Sequence, residues 1–349
     1  MIKKIIYLTC TRPDYSLNSV LIKGLRENGV EVVEFHIKDR GMSGFVKALS
    51  FYRDNFKNAD AIIVGYNSQI LIPLLRLFCR KKIIYNAILS EYERMIISRE
   101  LTPRFSIKAF YYWLIDFIAV HLADLTTIES NHQLNFFNRI FKVSKKKLYR
   151  RFIGVDEDKF FYDPAVSKYD TFTVVFRGAL QPEAGAEYVV QAAKILEREN
   201  IKFIMLSGGL LLDKINKLVE ELKPVNLEFR SDLLPIEELR TVMQKCHLSL
   251  GQLSNHPRLE RTIPHKIYES LTMRLPYLTA SNAGILELLT AGETCITCGS
   301  ADAQSVAEKI LWAKNNPQEL ERIARNGYQL YQDKLKSHIL AKNLLEVVI

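Results

Sequence analysis

The chain has 349 residues, 48% of them hydrophobic and 25% charged, with no low-complexity or short-repeat pattern, which excludes a disordered, collagen-like or solenoid protein. Its formal net charge of +9 arises in one half: residues 1–163 contain 26 Lys/Arg and 17 Asp/Glu, whereas residues 164–349 contain 22 of each. A basic half indicates a negatively charged partner (nucleic acid, an anionic bilayer or an acidic acceptor) unless it reflects only drift in surface composition.

The N-terminal segment contains an apolar stretch, Ile5–Leu8, that is too short for a signal peptide and predicts a first buried strand. No run of about 18 uncharged apolar residues, the length that spans a bilayer, occurs in the sequence. Cys295 and Cys298 form one CxxC pair without a second pair or nearby histidines, which favours an ordinary strand and loop over a zinc or redox site. These features predict a cytoplasmic protein.

In residues 1–163, short apolar strands alternate with helical segments, which predicts right-handed crossovers and a mainly parallel sheet. A helix is predicted at Ser19–Asn28, because Gly29 is a good helix stop, and another at Ile70–Phe78. The strands predicted after Ile5–Leu8 are Val30–Phe35, Ala61–Val64, Lys82–Tyr85, Leu125–Ile128 and Tyr149–Ile153.

Residues 164–349 repeat this alternation, so the predicted fold class is α/β with two Rossmann-like lobes and a boundary at Tyr162-Asp163-Pro164. The last helix is a candidate to pack back on the first lobe. Ligands of such sheets bind beyond the carboxyl ends of the strands, so function is sought in the loops that follow strands. The predicted strands are Phe172–Phe176, Phe203–Ser207, Leu227–Phe229, Leu248–Leu250 and Tyr277–Ala280, and the helices are Ala186–Glu199, Leu211–Leu222, Ile236–Gln244, His265–Met273, Ala301–Asn315 and Pro317–Leu335.

Four segments of the second half occur in an informative order. They are Phe176–Gly185, Met205–Gly209, Leu234–Leu239 and Arg261–Glu269, the last continuing to Pro276, Gly284 and Glu287. Together they resemble glycosyltransferase family 4, a group of retaining enzymes with the GT-B fold. The first half resembles one subgroup of these enzymes in four segments. They are Tyr85–Glu93 with Arg99, Ala123-Asp124, Asn131-His132 and Gly154–Asp156 with Phe160.

The resemblance implies two Rossmann-like lobes facing a central cleft, with an acceptor-binding domain at 1–163 and a nucleotide-sugar-binding domain at 164–349. It implies retaining transfer of a hexose-type sugar from a UDP- or GDP-linked donor to a glycan or lipid-linked acceptor in cell-surface polysaccharide or glycolipid biosynthesis. No metal ion and no further cofactor are expected, and the leaving phosphate takes the acceptor's proton.

The sequence departs from the family pattern at three positions. Ala179 and Ala184 stand where many members have an arginine and a lysine that hold the donor diphosphate, and Arg261 stands where many have a first glutamate. The subgroup often has these replacements, so the resemblance assigns the catalytic phosphate contacts to Arg261 and Lys266. The two alanines also motivate an alternative, a GT-B protein without transferase activity such as a nucleotide-sugar epimerase or binding protein.

The segment before Glu269 has the chemistry of a phosphate site. Pro264 suits the first turn of a helix, and the helix N-terminus with His265 and Lys266 favours an anionic group. Glu269 lies three residues after Lys266 on the same helix face, where the resemblance makes it the acceptor of both ribose hydroxyl hydrogens. From spacing alone, a Lys–Glu pair on a solvated helix is the alternative.

Further candidates lie in loops that follow strands. Gly178 allows the backbone to approach phosphate or base, and Arg177 either replaces the basic residue missing at Ala179 or points to solvent. Arg12 follows the first strand and Ser90 the fourth, so both are predicted to face the cleft. Ser90 is a third catalytic candidate, near the transferred sugar, with ordinary loop hydrogen bonding as the alternative.

The first half also offers an acceptor-side surface. Residues 104–121 are aromatic-rich with basic residues in the first turns, and Lys145–Lys147 with Arg150-Arg151 add charge. This pattern predicts peripheral docking on the anionic inner face of a membrane, beside a lipid-linked acceptor. The alternative is a core helix at 106–121 with solvated lysines. No RNA-binding signature or zinc knuckle accompanies the basic half, so nucleic acid is not an expected partner.

Overall fold

A computed structural model describes residues 2–39, 41–232 and 234–348. The chain forms two compact units, Met1–Asp156 together with Leu335–Ile349, and Glu157–Lys334. The boundary expected at 163/164 falls inside the second unit, because the residues just before it pack there. The Phe161 carbonyl accepts a hydrogen bond from the Gln244 amide at 2.6 Å, and the Arg240 guanidinium lies 4.2 Å from the Phe161 ring centroid.

The first unit is built on a six-stranded parallel sheet with the order β2-β1-β3-β4-β5-β6. Strand order reverses between β1 and β3, which makes this the topological switch point of the sheet. The elements are β1 (Lys4–Thr9), α1 (Ser16–Glu27), β2 (Glu31–His36), α2 (Met42–Asn55), β3 (Ala61–Val64), α3 (Leu71–Phe78), β4 (Lys82–Ile88), α4 (Ile107–Leu122), β5 (Leu125–Ile128), α5 (Asn131–Phe141) and β6 (Leu148–Arg150).

The second unit repeats the plan with a parallel sheet of order β12-β11-β10-β7-β8-β9, whose switch point lies between β7 and β10. Its elements are β7 (Phe172–Arg177), α6 (Ala186–Ile195), β8 (Ile201–Leu206), α7 (Leu212–Leu222), β9 (Leu227–Arg230), α8 (Ile236–Lys245), β10 (Leu248–Leu250), α9 (Lys266–Thr272), β11 (Tyr277–Ala280), α10 (Ala283–Leu286), β12 (Ile296–Cys298), α11 (Ala303–Asn315) and α12 (Pro317–Lys334).

The central strands are continuous apolar runs, as expected where helices cover both faces of a parallel sheet. Ile62 and Ile63 of β3 point to opposite faces and are both inaccessible to solvent, as are Val174 and Val175 of β7. Within the described part of the chain, no helix is both long enough and apolar enough to cross a membrane.

The last helix, α13 (Ser337–Val348), packs against α1 of the first unit. The chain approaches closely there because Gly24 has no side chain: a Cβ at that position would lie 2.1 Å from the Ser337 carbonyl oxygen. Ala341 and Leu344 are buried in the same apolar cluster as strands β1 and β3. The far end of the sequence therefore completes the core of the first unit.

Most predicted elements are confirmed, and four strands have the predicted bounds: β3, β5, β10 and β11. Strand β4 is longer than predicted because its pairing with β5 continues to Ile88, across an irregularity at which Ile88 adopts a φ of 64°. The sequence analysis missed α2, whose first turn contains Gly44, and the three-residue strand β12. Both lack the strong periodicity from which an element can be predicted.

Candidate active site

The switch point of the second sheet brings together two segments that are distant in sequence. Arg177 ends β7 and is followed by Gly178, while α9 begins at Lys266 after the loop that follows β10. Because β7 and β10 are hydrogen-bonded neighbours, their carboxyl ends lie side by side. Four residues predicted from the sequence meet here, and we call them the Glu269 cluster: Arg177, His265, Lys266 and Glu269.

Glu269 is the centre of the cluster and is only 2% exposed. Its Oε1 accepts a hydrogen bond from Nη2 of Arg177 and lies 3.2 Å from Nδ1 of His265. Burial opposes ionisation of this carboxyl, but the charge of Arg177 and the contact with His265 outweigh it, so the pKa of Glu269 lies below its ordinary value. The cluster therefore holds a buried carboxylate at neutral pH.

Lys266 is 8% exposed, and its Nζ lies 4.1 Å from the ring centroid of Phe176, at the end of β7. Burial, and then the positive charge of Arg177, lower the pKa of Lys266 to about 7. Gly178 leaves room for this side chain: a Cβ there would lie 3.5 Å from Nζ, and the φ of 132° favours glycine. The amino group of Lys266 can thus gain or lose a proton near neutral pH.

Three buried polar atoms of the cluster have no hydrogen-bond partner among the described residues: Oε2 of Glu269, Nε2 of His265 and Nε of Arg177. Buried polar groups in native proteins are normally paired, so a group of unpaired atoms suits a ligand. The carboxylate oxygen accepts hydrogen bonds from hydroxyl groups, and guanidinium and ammonium groups donate to phosphate. This donor and acceptor set fits the ribose and diphosphate of a nucleotide.

The loop 178–185 is held by a buried ion pair that the sequence analysis missed. Glu183 accepts a hydrogen bond from Nη1 of Arg258, and the hydroxyl of Ser254 donates to the Glu183 carbonyl at 2.9 Å. Glu183 is also near enough for its charge to raise the pKa of Lys266, against the larger effect of burial. No spacing signal joins two residues 75 positions apart.

The two alanines that depart from the family pattern lie in different surroundings. Ala179 is exposed, whereas Ala184 is inaccessible to solvent and its carbonyl accepts a hydrogen bond from the Leu253 backbone at 3.1 Å. Arg261, the other departure, is half-buried and directly follows the helical turn Pro257–Glu260, five residues before Lys266. Its predicted phosphate contact remains a prediction.

Ser90 and Arg12 lie in the first unit. The Ser90 hydroxyl is buried and accepts a hydrogen bond from the Glu93 backbone at 2.9 Å, which caps the helical segment Glu93–Ser98. Arg12 is exposed, and its Nε donates to Oδ1 of Asp14 at 2.9 Å. The Ser90 contact is the loop hydrogen bonding that the sequence allowed as the alternative for that residue. The predicted roles of Ser90 near the transferred sugar and of Arg12 in donor binding remain predictions.

The first unit also has a buried polar network that joins β1 and α1 to β4, β5 and the residue after β6, and we call it the Asn86 network. The hydroxyl of Tyr7 donates to Oδ1 of Asn18 at 2.9 Å, and Nδ2 of Asn86 lies 3.3 Å from the same hydroxyl. Oδ1 of Asn86 accepts from the Thr127 hydroxyl at 3.0 Å and from Nη2 of Arg151 at 2.8 Å. The polar side-chain atoms of Tyr7, Asn18, Asn86 and Thr127 all have partners.

Comparison with known proteins defines the class. Residues 158–330, nearly all of the second unit, match the family model described as Glycosyl transferases group 1. Sucrose-phosphate synthase from Thermosynechococcus elongatus superposes with a TM-score of 0.77 at 12% identity, covering 99% of this chain and 98% of that one. Crystal structures of Anabaena HepE show the same fold: its complex with UDP and glucose has a TM-score of 0.74 at 15% identity over 99% of both chains.

The chain therefore has the GT-B fold, and residues 158–330 form a glycosyl transferases group 1 domain, which is an enzyme domain of the glycosyltransferase class. Among curated proteins it is similar to a 2-deoxystreptamine N-acetyl-D-glucosaminyltransferase from Niallia circulans, at 23% identity over 177 residues. That alignment covers 50% of this chain and 44% of the relative, so the chain aligns with less than half of the relative's length.

Proposed function

We propose that the protein transfers a hexose-type sugar from a nucleotide-sugar donor to a glycan or lipid-linked acceptor, with retention of the anomeric configuration. The Glu269 cluster carries this proposal, because it joins a buried carboxylate with an unpaired oxygen to an arginine and a lysine. A nucleoside diphosphate needs hydrogen-bond acceptors for its ribose hydroxyl groups beside hydrogen-bond donors for its phosphate groups. UDP is favoured over GDP because a crystal structure of HepE contains UDP-glucose, and the name of the Niallia relative, an N-acetyl-D-glucosaminyltransferase, supports a hexose-type sugar.

In this proposal, Glu269 binds the ribose and Lys266 stabilises the leaving diphosphate. Breaking the bond between the sugar and the phosphate oxygen concentrates negative charge on the diphosphate, where a fixed cation lowers the barrier. Lys266 is held in a site shielded from water, so its charge acts with little screening. Arg177, oriented by Glu269, adds a second positive charge, and Arg261 is proposed as a third.

The acceptor hydroxyl attacks from the face that the diphosphate leaves, and a leaving-group phosphate oxygen takes its proton. This route gives a retained anomer without an enzyme nucleophile. We further propose that the enzyme works in the cytoplasm at the inner face of the membrane, in cell-surface polysaccharide or glycolipid biosynthesis. The basic first half and its aromatic helix α4 support this placement.

The donor site is tested by titrating UDP, GDP, ADP and their sugar conjugates against the wild type, Lys266→Ala and Lys217→Ala, with thermal shift and calorimetry. Lys217 is an exposed lysine of α7 in the same unit and serves as the matched control. We expect one nucleotide class to stabilise the wild type and the control, and Lys266→Ala to lose this response. No response to any nucleotide in the wild type would refute the proposed donor site.

The reaction is tested with the nucleotide sugar that binds, in the presence and absence of candidate acceptors, by following the anomeric configuration with NMR. A product with the donor's anomeric configuration is expected. An inverted product would exclude the retaining route. Conversion of the nucleotide sugar without any acceptor would instead support an epimerase, the alternative that Ala179 and Ala184 motivate.

A further inference from the structure

Helix α4 exposes an apolar stripe at its N-terminal end. Ile107, Phe110, Tyr111 and Leu114 occupy positions i, i+3, i+4 and i+7, which form one helix face. Ile107 is 90% exposed, Phe110 58% and Tyr111 50%, and Phe105, just before the helix, is fully exposed. The helices of water-soluble domains normally turn charged residues outward, so this face lacks the usual polar covering.

The opposite face of α4 is anchored in the first unit, where the buried Asp116 accepts a hydrogen bond from the Tyr92 backbone at 2.8 Å. Ala109, Ala119 and Val120 are buried in the first unit, and the indole Nε1 of Trp113 donates to the Ile140 carbonyl at 3.2 Å. The helix therefore has its inner partners already, and its aromatic outer face is fixed in direction. Such a face is suited to bind a partner without reorganising.

The charges around the stripe indicate which kind of partner fits this surface. Arg104 and Lys108 are both exposed and flank Phe105 and Ile107, and residues 101–115 include no Asp or Glu. Aromatic and aliphatic side chains that enter the acyl region, with cations that reach phosphate headgroups, are the composition of an interfacial membrane helix. A protein partner of this surface would need an acidic apolar patch, whereas an anionic bilayer offers both properties over any area.

We propose that the exposed stripe Phe105, Ile107, Phe110 and Tyr111, together with Arg104 and Lys108, is a docking surface for an anionic lipid bilayer. The inference rests on the proposed function for its purpose, which is to bring the enzyme to a lipid-linked acceptor. It places the contact at the N-terminal end of residues 104–121 and leaves out the lysine-rich segment Lys145–Lys147, which the sequence analysis had included in the surface.

The lysine-rich segment is engaged in the protein. Nζ of Lys147 donates to the carbonyl oxygens of His121 at 2.6 Å and Ala123 at 3.0 Å, and so stabilises the C-terminal end of α4. Nζ of Lys145 donates to Oδ1 of Asn135 at 2.8 Å. A helix of 16 residues is about 24 Å long, so these lysines lie far from the exposed stripe.

Flotation with vesicles tests the proposal, using the full chain with phosphatidylcholine alone or with added phosphatidylglycerol. We expect binding only to the anionic vesicles, weakened by salt. The double variant Phe105→Ser/Ile107→Ser should reduce binding by at least about tenfold, because two apolar side chains no longer leave water. The variant Arg104→Glu/Lys108→Glu should do the same.

Two controls fix the location of the surface. Leu77→Ser removes an apolar side chain that is 77% exposed elsewhere in the first unit, and Lys145→Glu/Lys146→Glu reverses charge in the lysine-rich segment; both should bind vesicles like the wild type. Equal binding by Phe105→Ser/Ile107→Ser and the wild type would overturn the proposal. So would a wild-type dimer that this variant converts to a monomer, since a second copy would then be the occupant.

Nucleotide binding separates this inference from the proposed function. All of these variants should keep the wild-type thermal shift with the nucleotide, which also shows that they are folded. Lost vesicle binding with intact nucleotide binding supports the docking surface. If the wild type binds the nucleotide but does not bind anionic vesicles, the docking surface is refuted and the proposed function is not.

Discussion

Each unit buries a set of polar side chains within its sheet, but the two sets differ in charge and in hydrogen bonding. In the Asn86 network, the neutral side chains of Tyr7, Asn86 and Thr127 satisfy one another around one buried arginine, because Asn86 joins Tyr7, Thr127 and Arg151. In the Glu269 cluster, three charged or titratable residues each keep one buried atom that finds no partner in the described part of the chain. A satisfied network stabilises one structure, whereas an incompletely paired charged cluster is available to a ligand.

Glu269→Gln is expected to have the largest effect, because it removes the charge at the centre of the cluster but keeps the shape of the side chain. We expect the rate of sugar transfer to fall between about a hundredfold and a thousandfold, because Arg177 loses its anionic partner and the ribose loses one of two acceptor oxygens. Steady-state kinetics with the identified donor measure this effect. Glu228→Gln, at an exposed carboxylate paired with Lys202, is the matched control and should retain wild-type rates. Transfer by Glu269→Gln at the control's rate would contradict the assignment.

Asn86→Leu should give the opposite pattern, a loss of stability with an unaffected donor site. The substitution leaves the hydroxyls of Tyr7 and Thr127 and the guanidinium of Arg151 short of a partner, which costs about 3 kcal/mol of unfolding free energy. Urea unfolding measures the loss, with Asn135→Ala as the exposed control. A folded Asn86→Leu protein that no longer binds nucleotide would show that the network has more than a structural role.

The third prediction concerns pH and follows from the lowered pKa of Lys266, about 7 in the unliganded protein. An anionic donor binds the protonated lysine, so affinity should fall as pH rises through 7, approaching about tenfold per pH unit above it. Calorimetric titration with a nucleotide sugar measures this, since its diphosphate keeps a constant charge in that range. Lys266→Met should bind weakly with no such slope. A wild-type affinity independent of pH between 6 and 8, roughly one unit on either side of that pKa, would contradict the prediction.

The smallest expected effect belongs to Glu183→Gln. The Glu183 carboxylate raises the pKa of Lys266, so its removal should move the midpoint of the affinity profile to lower pH by a fraction of a unit. Glu187→Gln, in the first turn of α6 and paired with Lys214, is the control and should leave the midpoint in place. An unchanged midpoint would show that the Glu183 charge does not reach Lys266.

The fold and the membership of the Glu269 cluster could be predicted from the sequence, but its pairing could not. The motif spacing placed Lys266 and Glu269 on one helix face, yet Glu269 pairs with Arg177 and His265 while Lys266 turns toward the Phe176 ring. Which cation reaches the carboxylate depends on how the end of β7 packs beside α9. Helical periodicity carries no information about that distance.

The same limit explains the other departures. Arg258 and Glu183 meet only because loop 178–185 folds against the segment after β10, and neither residue belongs to a sequence motif. For α4, the sequence offered two interpretations, a core helix and a membrane-docking surface. Each describes part of the helix: a buried inner face and an exposed aromatic N-terminal end. Composition shows only that most residues of α4 are apolar, whereas the packing shows which of them face water.

The position of α13 in the chain has a consequence during synthesis. Ala341, Leu344 and Val348 belong to the apolar cluster that contains Ile5 and Tyr7 of the first strand. A ribosome makes this helix only after the whole second unit, so the β-sheet translated first waits for its covering helix until the second unit has been synthesised. The second unit, whose residues 157–334 are continuous, is free to fold earlier, which reverses the order of the sequence.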